Sequence, residues 1–180
     1  MTHKLLLPHP MSPVGYGAYQ VGRAAGEKYA SHGKPMPSDE EAEALLNGVL
    51  DLGITLIDTA PAYGCSESRI GTYLSNRRDE YNLCTKVGEL TLNGKCTFDF
   101  SSAGMRHPVE QRLRSLRTEC ALVLLIHAPS ADMEFLHETD ALDTLIALKE
   151  ECKSSTSALS RNNVQTQQDA RELQTAMITS

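Results

Sequence analysis

Four side chains that can hold or move a proton follow short apolar segments of this sequence. The segment TLID ends on Asp58, and Tyr63 lies in the turn that comes next. The segment LCTK ends on Lys86, and the segment LLIH ends on His127. Short apolar segments of this kind are typical of buried strands. Because a charge at such a position is costly to bury unless it is paired, we expect these side chains to be partners.

Together the four residue types predict proton delivery to a carbonyl group. A tyrosine hydroxyl has an ordinary pKa of about 10, and a neighbouring ammonium lowers that pKa because it stabilises the phenolate. An aspartate beside the lysine balances its charge, and a histidine can orient a carbonyl oxygen by a hydrogen bond. None of the four can supply a hydride, so reduction of the carbonyl requires a nicotinamide cofactor.

Each of these side chains also has an ordinary structural interpretation. Asp58 could cap a loop, Tyr63 could pack in its turn, Lys86 could reach solvent, and His127 could be a core residue. Their position at three successive strand ends favours a shared site, because parallel strands bring their carboxyl ends to one edge. Neighbouring strands are about 4.8 Å apart, so the outer two ends are about 10 Å apart and long side chains can meet between them.

Strand and helix patterns alternate along the chain, which predicts an α/β fold with a parallel sheet, either closed as a barrel or open and doubly wound. A capping box at Ser38 and Glu41 begins a helix with an apolar stripe at Leu45, Leu46, Val49 and Leu50. Residues 89–104 are too long for a plain connection and are predicted to be a functional loop. The predicted strands are 12–22, 55–60, 81–88, 121–127, 153–160 and 175–180, and the predicted helices are 38–53, 66–74, 109–117, 140–151 and 166–174.

The composition predicts one cytoplasmic domain over residues 1–180. The formal net charge of −6 argues against a nucleic-acid or membrane-surface partner, and the basic segment 112–117 is predicted to be a solvated helix face. Five cysteines without a CxxC pair favour reduced thiols and predict no metal site. No segment is long and apolar enough to predict a signal peptide or a membrane span.

Three segments resemble the aldo-keto reductases, namely IDTAPAYGCSESRIG (57–71), LCTKVG (83–88) and LLIHAP (124–129). The resemblance covers about residues 12–150 and is greatest to the branch that acts on sugars and small aldehydes. It implies a (β/α)8 barrel that binds NADPH, with NADH as the alternative, without a GxGxxG motif, and no such motif occurs in this sequence.

The resemblance also implies a role for each candidate residue. Tyr63 is expected to be the general acid, Lys86 the partner that lowers its pKa, and Asp58 the anchor of Lys86. His127 is expected to orient the substrate carbonyl. Ser160 matches the serine that contacts the nicotinamide carboxamide in the family.

The sequence departs from the family pattern towards its C-terminus. The family's fifth strand resembles GKIRAIGLS, whereas this chain has CKSSTSALS with Cys152 in place of the glycine, and Arg161 follows where a small residue or an amide is usual. The last two strands of the barrel, with the loops that hold the cofactor phosphates, have no counterpart. We therefore expect about the first six strand units of a barrel, as a truncated chain or as one that completes itself by association through its exposed sheet edges.

These observations leave three hypotheses about function. The leading one is an NADPH-dependent reductase that acts on an aldehyde, a ketone or a sugar carbonyl. The alternative is a catalytically inactive remnant or a regulatory subunit that keeps the fold and binds a partner. Metal-dependent hydrolysis, with Asp58 and His127 as ligands, is a minor third hypothesis because no HxH motif or second acidic cluster accompanies them.

Overall fold

A computed structural model describes residues 9–22, 35–92, 95–127, 139–151 and 154–160. Its strands, numbered in chain order, are β1 (Tyr16–Gly17), β2 (Leu56–Asp58), β3 (Asn82–Val87), β4 (Glu89–Leu92), β5 (Lys95–Phe98), β6 (Ala121–His127) and β7 (Ser154–Ser160). Its α-helices are α1 (Tyr19–Gly22), α2 (Asp39–Asp51), α3 (Ser66–Tyr73), α4 (Ser102–Ser115) and α5 (Ala141–Glu150), and two 3₁₀ helices span Pro61–Tyr63 and Ser75–Glu80.

Five of the strands form one parallel sheet in the order β1-β2-β3-β6-β7. Each new strand of this sheet adds beside the previous one, with no reversal of direction along the sheet. This order is that of a (β/α)8 barrel, since a doubly wound sheet reverses at its switch point. The predicted α/β fold class is confirmed.

The helices cover one face of this sheet and leave the other for the strand-end side chains. Near β2 the apolar residues Ile57 and Leu83 pack with α2 and α3, whereas Val87 and Ile126 pack with α4 and α5. Every residue of β3 is buried, as expected for a central strand of a parallel sheet. The apolar core therefore lies between the sheet and its crossover helices.

The predicted capping box of α2 is present. The Ser38 hydroxyl accepts from the Glu41 amide at 3.2 Å, and the Glu41 carboxylate accepts from the Ser38 amide at 2.8 Å. Gly53, at φ +77°, follows the helix in the left-handed conformation that glycine favours. The predicted apolar stripe is wrong at Leu45, which is 43% exposed, because Ala42 takes the place facing the core.

Three predicted element boundaries are wrong. Only two residues of the predicted strand 12–22 are extended, because the chain turns into α1 directly after β1. The predicted loop 89–104 contains the antiparallel hairpin of β4 and β5 and the first turn of α4. Helix α4 begins before Pro108 because Ser101 caps it, the hydroxyl of Ser101 accepting from the Gly104 amide at 3.1 Å.

The predicted helix 166–174 and the predicted strand 175–180 lie outside the described residues. Among the helices that the structure describes, none combines the length and the hydropathy that crossing a bilayer requires.

Candidate active site

The strand register brings three of the predicted site residues to one face of the sheet. The pairs are Asp58 with Cys84, Lys86 with Leu125, and His127 with Ser160. Because side chains alternate between faces, Asp58, Lys86 and His127 all lie on the face opposite the helices. On each next strand the site residue lies two positions closer to the carboxyl end, so the three residues follow a diagonal with successive Cα atoms about 8 Å apart.

Lys86 is held by Asp58 at the centre of this face. The ammonium donates to both carboxylate oxygens of Asp58, at 2.7 and 2.8 Å, and to the carbonyl oxygen of Thr59 at 3.0 Å. Burial by itself lowers the pKa of Lys86, but the charge and hydrogen bonds of Asp58 outweigh it, so the net pKa is raised. Lys86 thus carries a fixed positive charge at neutral pH.

Tyr63 lies beside this charge. Its 3₁₀ helix begins three residues after the end of β2, and its ring centroid is 5.1 Å from the Lys86 ammonium nitrogen. The Tyr63 ring also packs edge to face against the Tyr19 ring, with the two centroids 5.4 Å apart and the ring planes at 84°. The positive charge of Lys86 therefore acts on Tyr63 across a short distance.

A glycine lets the segment before the site approach the turn that carries Tyr63. A Cβ atom at Gly22 would collide with the Tyr63 carbonyl oxygen and the Ser66 backbone nitrogen. The Cys65 amide donates to the Gly22 carbonyl at 3.1 Å, and the Ser66 hydroxyl donates to the Ala18 carbonyl at 2.8 Å. These bonds attach α1, and Tyr19 with it, to the turn after β2.

His127 has a partner that the sequence did not predict. Its Nδ1 atom contacts the Oε2 atom of Glu89, and both side chains are buried, with Glu89 3% exposed. Glu89 is the first residue of β4 and follows Gly88, whose φ of +90° turns the chain at the end of β3. An acid close to a strand end is only a weak signal for such a residue, and the sequence does not indicate which side chain Glu89 pairs with.

A second buried polar group supports β3 from the helix side. The Thr85 hydroxyl donates to Glu67 at 2.6 Å, and Arg112 donates to the carbonyl oxygen of Lys86 at 2.9 Å. Burial raises the pKa of Glu67, against the effects of Thr85 and Arg112, and burial lowers the pKa of Arg112 to about 10. The prediction that segment 112–117 is a solvated face is wrong at Arg112, which is 6% exposed because it binds the β3 backbone.

Ser160 is the last residue of β7, and its backbone pairs with that of His127. The side chain of Ser160 lies outside the described part of the structure. Its predicted contact with a nicotinamide carboxamide stays a prediction.

Comparisons with known proteins agree with this arrangement. Residues 13–179 match the model of the Aldo/keto reductase family. The chain is 30% identical over 133 residues to D-arabinose 1-dehydrogenase of Saccharomyces cerevisiae, with 71% of this chain and 36% of that protein covered. It is 41% identical over 80 residues to D-threo-aldose 1-dehydrogenase of a Pseudomonas species, with 43% of this chain and 22% of that protein covered.

Among solved structures, a putative aldo-keto reductase from Pseudomonas aeruginosa is 38% identical and superposes with a TM-score of 0.79. That match covers 90% of this chain and 60% of the other. The chain thus spans about a third or less of the two curated relatives and under two thirds of this solved chain. The family match takes in nearly all of this chain, including Asp58, Tyr63, Lys86 and His127, and the chain belongs to the aldo/keto reductase family.

Proposed function

We propose that this chain provides the proton-transfer site of an NAD(P)H-dependent oxidoreductase that interconverts a carbonyl group and an alcohol. The observation that carries the proposal is the Lys86 ammonium, which Asp58 holds beside the ring of Tyr63. A buried cation beside a tyrosine ring can stabilise negative charge on the phenol oxygen of that tyrosine.

In the direction of reduction, Tyr63 gives its hydroxyl proton to the carbonyl oxygen of the substrate. The carbonyl carbon receives a hydride, the carbonyl π bond breaks towards oxygen, and the product is an alcohol. The charge of Lys86 stabilises the phenolate that remains on Tyr63, and Asp58 keeps Lys86 in place. In the direction of oxidation the phenolate takes the hydroxyl proton back.

The side chains of the site fit a nicotinamide cofactor, which supplies or accepts the hydride when it is bound. They can give a proton and orient an oxygen, but none of them can transfer a hydride, so they complement a hydride carrier. By its match to the family serine, Ser160 would hold the carboxamide of the nicotinamide, and the backbone pairing of Ser160 with His127 is compatible with this role. We propose NADPH as the preferred cofactor, with NADH as the second choice.

The proposed substrate is a sugar or a small aldehyde. Two relatives of this chain are named as dehydrogenases that act at C1 of an aldose, which supports a sugar carbonyl over a bulky ketone. Asp58 is 36% exposed, so this end of the sheet is open to a polar ligand.

The test measures NADPH oxidation by the full chain with a set of aldoses and small aldehydes, together with quenching of nicotinamide fluorescence on binding. We expect Tyr63→Phe to lower kcat about 100- to 10,000-fold, which is the usual contribution of a general acid, and to leave cofactor binding unchanged. Tyr73→Phe is the matched control, because Tyr73 packs with the α2 and α3 cluster on the other side of the sheet.

An equal rate in Tyr63→Phe and the wild type would overturn the proposed role of Tyr63. If the folded chain neither binds nor oxidises NADPH, the proposed function is wrong and a non-catalytic, partner-binding role becomes the better explanation.

A further inference from the structure

The buried contact between Glu89 and His127 joins the parallel sheet to the separate antiparallel hairpin of β4 and β5. His127 ends β6, and Glu89 begins the hairpin that leaves β3. The exposed fraction is 3% for Glu89 and 7% for His127. A carboxyl group is rarely buried to this extent unless a partner satisfies it, and here the Nδ1 atom of His127 contacts its Oε2 atom.

This contact limits the positions that protons can take on the imidazole ring. Each ring nitrogen either donates or accepts, and the partner of one nitrogen decides the role left to the other. If the pair of Glu89 and His127 shares two protons, one lies between Nδ1 and the carboxyl group and the second is on Nε2, which then donates. If the pair shares one proton, that proton stays between Nδ1 and the carboxylate, and Nε2 accepts.

We propose that Glu89 is a positioning residue that keeps a proton at Nδ1 of His127, so that the proton count of the pair decides whether Nε2 donates to a carbonyl oxygen or accepts from a hydroxyl. The two-proton form suits reduction, because the substrate oxygen is then an acceptor. The one-proton form suits oxidation, because an alcohol or the anomeric hydroxyl of a sugar is then a donor. This inference rests on the proposed function for its consequence, but the proton position can be measured without any activity.

Other ionisable groups share the face on which this pair acts. They are Asp58 from β2, Cys84 and Lys86 from β3, and Tyr63 from the 3₁₀ helix. The Lys86 ammonium and the Asp58 carboxylate balance each other in a direct ion pair. Because several groups on this face can ionise, substitution of Glu89 is needed to show which part of the pH dependence of the site comes from the Glu89–His127 pair.

The first experiment is a long-range nitrogen–proton NMR spectrum of the full chain labelled with ¹⁵N-histidine, recorded from about pH 5 to pH 9. The signals of His127 are identified by their loss in His127→Asn. We expect Nδ1 to stay protonated over the whole range in the wild type. In Glu89→Leu, Nδ1 loses its proton as the pH rises and Nε2 keeps one. A bare Nδ1 in the wild type at high pH, or identical His127 signals in Glu89→Leu, would overturn the proposal.

The second experiment compares the pH profiles of kcat/KM for aldehyde reduction and sugar oxidation in the wild type, Glu89→Asp and Glu89→Gln. We expect Glu89→Gln to lose about 10- to 100-fold in kcat with a smaller change in KM, by analogy with the loss when the hydrogen-bond partner of a metal-ligating histidine is removed. The ratio of oxidation to reduction should also lose its pH dependence. Glu89→Asp keeps the carboxyl group and should restore part of that dependence.

Glu43→Gln on the exposed face of α2 is the matched control for the same chemical change, and circular dichroism verifies that each variant is folded. Unchanged profiles in folded Glu89→Gln would overturn the positioning role. If the wild type transfers no hydride, the proposed function fails, and the NMR spectrum alone then decides whether Glu89 holds the Nδ1 proton.

Discussion

Lys86 and Asp58 form an ion pair whose two partners differ in their access to solvent. The side chain of Lys86 is 5% exposed, whereas that of Asp58 is 36% exposed. Water can therefore hydrate the Asp58 carboxylate if the ion pair breaks, whereas water has little access to the Lys86 ammonium. The pair places an enclosed positive charge next to Tyr63 and leaves its counter-charge at the open end of the sheet.

Replacement of Asp58 by asparagine should destabilise the fold because it leaves the Lys86 ammonium buried without a counter-charge. We expect the free energy of unfolding to fall by about 2–4 kcal/mol, less than for a fully buried pair. Urea denaturation measures this difference. Asp51→Asn is the matched control, because Asp51 is 67% exposed in its ion pair with Arg77. This substitution should lower the free energy of unfolding by less than about 1 kcal/mol. Equal losses in the two variants would contradict the asymmetry of the pair.

Glu67 should make stability depend on pH. Burial raises the pKa of Glu67 above its ordinary value of 4.5, so the folded chain holds this proton more tightly than the unfolded chain does. Its contribution to stability is present below the ordinary pKa and is lost as the pH rises through the folded-state pKa. Glutamine imitates the protonated acid. The unfolding free energy of the wild type minus that of Glu67→Gln should therefore fall from about pH 4 to pH 7, and a rising difference would show that the sign is wrong.

Cys84 should be the slowly reacting thiol of the site. Burial, reinforced by the charge of Asp58 and opposed by that of Lys86, raises the pKa of Cys84 to about 12. Because the thiolate is the reactive form, we expect iodoacetamide at about pH 8 to modify Cys84 at least about 100-fold more slowly in the folded chain than in urea. Peptide mass spectrometry follows each cysteine, with the half-buried Cys65 as the internal comparison. Similar rates for the two folded-state thiols would contradict the enclosure of Cys84.

Two glycine substitutions should have opposite effects on stability. At Gly88 the φ of +90° strains any other residue, and a Cβ atom would collide with the Phe100 ring, so Gly88→Ala should cost more than about 1 kcal/mol. At Gly48, inside α2, a Cβ atom meets nothing within 4 Å, and Gly48→Ala should stabilise by up to about 1 kcal/mol. Thermal unfolding measures both. Gly88→Ala should also displace Glu89 from His127, and a normal His127 NMR signal in that variant would contradict this.

The sequence was sufficient to predict the parallel sheet and the convergence of its strand ends. Asp58, Lys86 and His127 each end an apolar run, and the rule that parallel strands share one carboxyl edge then places them together. The capping box at Ser38 fixed the start of α2 for a similar reason, because its hydrogen bonds are local in sequence.

The remaining features depend on contacts between distant residues. Glu89 becomes part of the site only because the glycine before it turns the chain towards β6. The length of 89–104 predicts a functional loop, but nothing in that segment indicates that Glu89 is the residue that reaches His127. Arg112 looks like a surface residue in the sequence, yet its guanidinium reaches the backbone of Lys86 across the helix–sheet interface. Neither partner could be identified from spacing along the chain.

The alternation within β3 makes this strand intolerant of any change in length. Leu83 and Val87 pack under the helices, while Cys84 and Lys86 face the site. One inserted residue would exchange the two sets, because a slip of one position sends every following side chain to the opposite face. The Lys86 ammonium would then point into the apolar core under the helices, and an apolar side chain such as that of Val87 would lie beside Tyr63. Loops around the rim can accept extra residues during divergence, but this strand can diverge only by substitution.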